Sequence, residues 1–225
     1  MRTLAILPVK SFGAAKQRLA ESLGAGSRQA LAQAMFIDVL TALRRTSELD
    51  GIAVVTADRA AESAAGGHGV AVLRDTVQAG QSQATGIGIR HALEQGFDRV
   101  VLVPGDTPLL RPGDLAGLLA GHEDGVTIVP DRHGTGTNAL VLSPPDAIEP
   151  SFGPDSRARH EALADAAGVP HRVAEVAVLG LDVDTPGDLA ELAAELEARR
   201  GEAPFTRGAL RQLDRAGAAP VREPA

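Results

Sequence analysis

The chain has 225 residues, 44% hydrophobic and 23% charged, the proportions of an ordinary globular domain and too few residues for two full-sized ones. It has no cysteine, which excludes a disulfide scaffold, a cysteine-ligated zinc site, a thiol nucleophile and an iron–sulfur cluster, and with no Tyr or Trp and five Phe it lacks the aromatic platforms of a base-stacking RNA reader. Its 22 basic and 29 acidic residues leave a formal net charge of −7, the wrong sign for a general binder of nucleic acid or other polyanions.

In chain order, the apolar run 4–9 contains Pro8 and is followed at once by Lys10, so it reads as a strand rather than a signal peptide. No run approaches the length needed to span a bilayer, and a cytoplasmic protein without a membrane partner is expected. Over 27–46, Leu31, Met35, Val39 and Leu43 form one helical stripe, with Ser27 as the expected N-cap. Strands are predicted at 52–56 and 70–73, with a short helix over 57–65 between them and a longer one over 82–95. The strand 99–103 ends in the loop Pro104-Gly105-Asp106-Thr107-Pro108. Residues 115–119 fall in a helix, 126–129 and 139–142 in strands, 155–167 in a helix, 173–178 in an extended segment, and 186–199 in a helix with Pro186 in its first turn. From Gly201 onward Ala, Arg, Gly and Pro dominate, which predicts one domain over 1–200 and a flexible tail over 201–225. Strands separated by helices imply an α/β fold, a single domain whose mostly parallel sheet is covered by helices on both faces. In such sheets ligands sit beyond the carboxyl ends of the strands, so the loops there are where chemistry is expected.

Four loops have chemical content. After the first strand come Lys10, Lys16 and Arg18 on a Gly/Ala-rich segment; both lysines of the chain are here, every other basic residue being arginine. A flexible ammonium on a backbone that small residues leave accessible suits phosphate, the alternative being a solvated turn. In the second loop Asp106 projects over the sheet edge, where it can hold a hard divalent cation or simply cap a turn. In the third, Asp182 and Asp184 share one face if the segment is extended, an unfavourable pairing without a cation between them; helix capping before Pro186 explains one acid and not both. The fourth, Asp131 to Asn138 with Phe152 to Arg157, offers hydroxyls, amides and the helix start at Ser156 to an anion, or is a tight hairpin connection. The stretch Gly80 to Gly88, with Ser82 and Gln83, could skirt a nucleotide base or be a glycine-rich helix start. The six histidines are scattered without metal-ligand spacing and read as surface or structural residues.

Five strings, PVK…AAK-x-RL, PGD-x-PLL, DRHGTGTNAL, FGPDS-x-x-RH and DVDTP-x-DL, occur here in the order seen in the guanylyltransferases of deazaflavin coenzyme biosynthesis, which act on phosphoenolpyruvate or 2-phospho-L-lactate. The chain resembles that family over about residues 3–192. The resemblance implies a Rossmann-like nucleotidyltransferase domain that uses GTP as co-substrate and Mg2+ as cofactor. It implies that Asp106 and Asp182 bind magnesium with Asp184 in support, that Thr137, Gly153 and Ser156 hold the phosphorylated three-carbon acid, and that Lys10 and Lys16 lie near the GTP phosphates. Many relatives carry Leu-Asn in the base-side loop where this chain has Ser82-Gln83. The expected reaction is attack of the acceptor's phosphate oxygen on the α-phosphorus of GTP with loss of pyrophosphate; a phosphate monoester, with a second pKa of about 6, needs no general base. The competing expectations are a molybdenum-cofactor-type or sugar-phosphate nucleotidyltransferase and a non-catalytic nucleotide-binding protein.

Overall fold

The computed structural model describes residues 1–77, 80–122 and 124–215. Strands β1 (Thr3–Val9), β2 (Gly51–Thr56), β3 (Ala71–Arg74), β4 (Arg99–Leu102), β5 (Gly125–Pro130), β6 (Thr137–Ser143) and β7 (His171–Val173) form one seven-stranded sheet in the order β3-β2-β1-β4-β6-β5-β7. β1 pairs in parallel with β2 and β4, β2 with β3, and β5 with β7; β6 runs antiparallel to both β4 and β5. The reversed β6 matters for the site, because its amino-terminal end lies at the same sheet edge as the carboxyl ends of β1 and β4.

Side chains alternate across a strand, and β1, an apolar run buried along most of its length, feeds two cores at once. Ala5 and Leu7 face a core completed by α1 (Ala25–Arg44), α2 (Arg59–Gly66), α4 (Pro112–Ala120), α7 (Pro186–Ala198) and α8 (Pro204–Arg215). Leu4 and Ile6 face the other, completed by α3 (Gln81–Glu94) and α5 (Ser156–Ala167). The helix α3 sits so close to β1 that a Cβ on Gly88 would lie 2.5 Å from the Ile6 side chain, so any other residue there must push the helix or Ile6 aside. The expected α/β architecture, mixed sheet and two-sided helical cover are all present. None of the described helices is long and apolar enough to cross a membrane.

Three expectations are corrected. Helix α1 starts at Ala25 behind Gly24, ahead of Ser27, because a preceding 3₁₀ turn (Gln17–Leu19) has already closed the chain through the Leu23 N–H to Leu19 carbonyl bond. The extended segment 173–178 is shorter: pairing with β5 ends at Val173, and Ala177–Gly180 form the single-turn helix α6, whose Gly180 carbonyl accepts the Arg132 N–H. The flexible tail expected from residue 201 is, over Pro204–Arg215, the packed helix α8, with Leu213 buried and its first turn capped by Asp38 of α1. Asp38 accepts from the N–H groups of Phe205 (3.2 Å) and Thr206 (2.7 Å). The capping acid sits far back in the sequence, so composition around residue 201 could not reveal it. Residues 216–225 of that tail lie outside the described residues.

Candidate active site

A cleft of about 500 Å³ opens at the carboxyl ends of β1 and β4. The chain leaving β1 forms two 3₁₀ turns (Phe12–Ala14 and Gln17–Leu19), and Lys16 between them adopts the left-handed conformation at φ 56° and ψ 39°. This loop is pinned from below: Phe12 is buried against Phe36 with ring centroids 5.6 Å apart, and its N–H donates to Asp58, which also caps α2. The pinned backbone turns Lys16 inward until its side chain is only 6% exposed. Its ammonium donates to Asp106 and, at 2.9 Å, to Asp184. Burial alone pulls the Lys16 pKa down, but the charges of Asp106 and Asp184 and their hydrogen bonds outweigh it, and the net shift is upward.

Asp106 stands at the end of β4 as expected for a carboxylate over a sheet edge. Asp182 and Asp184 come from the segment before α7, whose start is fixed by a capping box between Thr185 and Asp188. The two acidic loops are tied together by the Val183 N–H to Asp106 carbonyl bond at 3.3 Å. Asn138, second residue of β6, clamps the same segment by donating to the carbonyls of Leu179 (2.7 Å) and Gly180 (3.3 Å) and to Asp182 Oδ1 (3.1 Å). Burial first, then the charge of Asp106 and that of Asp184, push the Asp182 carboxyl above the usual carboxylate range, against the Asn138 bond that lowers it. The two acids predicted to share one centre thus face each other closely enough to repel.

Of the residues singled out in the sequence, Lys10, Lys16, Gly80, Asp106, Thr137, Asp182 and Asp184 line this one cleft. Arg18 stands at the rim, 75% exposed and 4.0 Å from Asp184. Ser82 and Gln83 lie just inside α3 behind Gly80, which turns the chain at φ 112°; the Ser82 hydroxyl accepts the Phe152 N–H at 3.0 Å. Gly153 and Ser156 are set back from the wall, where the Gly153 carbonyl accepts the Ser156 N–H at the start of α5. The hairpin alternative for residues 131–138 is realised as well, since β5 and β6 are antiparallel neighbours, yet Thr137 still reaches the cleft. Sequence reasoning missed Asn138 and His160. Asn138 was visible within the GTGTNAL string, but the topology that gives it a role was not. His160, wholly buried, bonds both Thr137 and the Ser151 amide.

Residues 3–214 match the family described as Guanylyl transferase CofC like. The chain belongs to this family. It is 52% identical over 95% of its length to a phosphoenolpyruvate guanylyltransferase of Conexibacter woesei, covering 97% of that protein, and 40% identical over 86% of its length to one of Sphaerobacter thermophilus, covering 93%. Among solved structures it is similar to a candidate nucleotide-diphospho-sugar transferase from Desulfovibrio desulfuricans (TM-score 0.75, 21% identity, 96% of each chain). A nucleotidyl transferase from Methanothermobacter is also similar, with TM-score 0.65 and 20% identity over 88% of this chain and 99% of that one. The CofC-like chain is therefore a nucleotidyltransferase enzyme in both family and fold, as its five strings implied.

Proposed function

We propose that this CofC-like enzyme transfers GMP from GTP to the phosphate of phosphoenolpyruvate, releasing pyrophosphate, in deazaflavin coenzyme biosynthesis. The observation that carries the reading is the convergence of Asp106, Asp182 and Asp184 with both lysines on one cleft, in a chain whose close relatives are named phosphoenolpyruvate guanylyltransferases. Two phosphorylated anions must meet here, and an otherwise acidic protein has gathered its only lysines where they must do so.

Among the described residues no group of three or more His, Cys, Asp or Glu side chains stands in a metal-site arrangement, and the Lys16 ammonium pairs with both Asp106 and Asp184. The donors nonetheless suit a hard divalent cation: carboxylate oxygens only, with Asp106 raising the Asp182 carboxyl by repulsion. We assign Mg2+ to Asp106 and Asp182, with Asp184 in support. When bound it would supply neutralisation of the nucleotide phosphates and of the charge that builds on the leaving pyrophosphate.

In this reading Lys10 and Lys16 hold the GTP phosphates, Arg18 attracts them from the rim, and Gly80 with Ser82 and Gln83 behind it forms the base side. Thr137, with Gly153 and Ser156 shaping the loop next to it, holds the phosphorylated three-carbon acid. An oxygen of the acceptor phosphate attacks the α-phosphorus; the bond from that phosphorus to the oxygen bridging to the β-phosphate breaks, and pyrophosphate leaves with the electron pair. The acceptor phosphate is already ionised above its second pKa of about 6, so the protein aligns and neutralises rather than removing a proton. The substrates are those of the cytoplasm, and we read the enzyme as cytoplasmic. The test is mass spectrometry of the product formed from GTP, Mg2+ and a mixture of phosphoenolpyruvate, 2-phospho-L-lactate and 3-phosphoglycerate. The guanylylated enolpyruvate is expected; a product from either other acid alone, or none, refutes the assignment.

A further inference from the structure

We propose that His160 is a positioning residue which, held in one tautomer by the backbone of Ser151, turns the Thr137 hydroxyl into a donor for an anionic oxygen of the acceptor. The inference rests on the reading that the phosphorylated acid binds at Thr137. The Ser151 N–H can only donate, and it meets His160 Nε2 at 2.9 Å. Nε2 must therefore carry its lone pair, which puts the single ring proton on Nδ1. Nδ1 lies 3.0 Å from Thr137 Oγ1, so the ring donates and the hydroxyl oxygen accepts. The hydroxyl proton then has no acceptor among the described residues, while Thr137 itself forms part of the cleft wall. It is left for a phosphate or carboxylate oxygen of a ligand.

The rest of the surroundings keep the ring in that state. His160 is fully buried, and burial together with the nearby Arg159 charge holds its pKa down to about 4, so it stays neutral through the physiological range. The Phe152 ring meets it edge-on with centroids 5.3 Å apart and fixes its plane. One imidazole thus joins the loop carrying Ser151, Phe152 and Gly153 to the first residue of β6.

Two near-isosteric variants separate the two ring bonds. His160→Asn places an N–H near the Nδ1 position and keeps the bond to Thr137; His160→Gln places an acceptor near the Nε2 position and keeps the bond from Ser151. Steady-state kinetics for both substrates and melting temperatures are measured on each. His160→Asn is expected to leave the KM for phosphoenolpyruvate close to that of the unaltered enzyme, whereas His160→Gln raises it about tenfold without changing the KM for GTP. Thr137→Val should produce the same rise, and His160→Gln added to it no further one. Equal KM changes in the Asn and Gln variants, or changes that follow the melting temperature alone, overturn the proposal. The ring nitrogens are read independently by 15N NMR of the unaltered protein, with the His160 signal assigned by through-bond correlation of the ring to its own backbone. A proton on Nδ1 supports the proposal and a proton on Nε2 overturns it, even should both His160 variants fail to fold. If the unaltered enzyme does not turn over phosphoenolpyruvate, the acceptor assignment has failed, while the NMR result still judges the ring.

Discussion

Replacing Asp182 by Asn should make the protein more stable and nearly inactive. In the folded state Asp182 is half-buried, faces the charges of Asp106 and Asp184, and has Asn138 as a hydrogen-bond partner but no cation within ion-pair distance among the described residues, since Lys16 pairs with the other two acids. Like charges several ångströms apart at an effective dielectric near 20 repel by roughly 1–2 kcal/mol once the screening by Lys16 is allowed for. Asn removes that charge, keeps an oxygen for the Asn138 bond, and changes the side-chain volume little. For a chain of this size about 2–4 °C of melting temperature goes with each kcal/mol, so the variant should melt roughly 2–8 °C higher at pH 7.5 without divalent ions. The sign with pH is fixed by linkage. A carboxyl whose pKa is raised by folding binds protons more readily in the native state, so the penalty is present at neutral pH and fades as pH falls through the raised value toward the ordinary 3.8. The two melting curves should therefore converge on acidification. Mg2+ should narrow the gap as well, stabilising the unaltered protein more than the variant. Turnover should fall by about 100-fold or more, on the scale of removing one preorganised electrostatic partner. A lower melting temperature for the variant, a gap that widens toward low pH, or retained turnover would refute the account of Asp182 as a strained metal-binding acid.

Three further outcomes follow from packing and charge. Lys16→Met should destabilise the protein by about 1–3 kcal/mol in the absence of divalent ions, a modest loss because Asp106 and Asp184 are partly solvated, and so lower its melting temperature, with Mg2+ restoring part of the loss; no change in thermal melting would mean the ammonium is not the internal counter-ion. Gly88→Ala puts a methyl 2.5 Å from the fully buried Ile6 side chain and should destabilise by about 1–3 kcal/mol, read by urea unfolding, with KM for both substrates unchanged below the transition. Asp38→Ala removes the acceptor for two amides of α8 and should cost about 1 kcal/mol of stability while exposing the segment after Ala198 to limited proteolysis; an unchanged digestion pattern would show that α8 is held by packing alone.

What could be read from the chain before its fold was known divides along a physical line. The acids after β4 and before α7 were legible because a carboxylate next to a strand end, or a pair of them without a neutralising base, is anomalous wherever the chain goes. The lysines were legible because of their isolation among arginines. What was hidden depends on direction and distance. That β6 runs antiparallel to β4 cannot be inferred from two short apolar runs of similar composition, yet this reversal alone brings Thr137 and Asn138 to the edge where Asp106 stands. Helix α8 is capped from α1, so the signal that it is ordered lies outside any local window. His160 shows the limit most sharply. A solitary histidine in a helix is correctly read as a structural residue, and its bonds to Ser151 and Thr137 are structural bonds. They bear on chemistry only because one donor cannot be reversed: a backbone N–H fixes one ring nitrogen, the ring fixes the hydroxyl, and the residue that carries the hydroxyl lines the cleft. A role transmitted through the polarity of successive hydrogen bonds has no sequence signature, since it depends on which donors and acceptors the fold brings together and not on the type of any one residue.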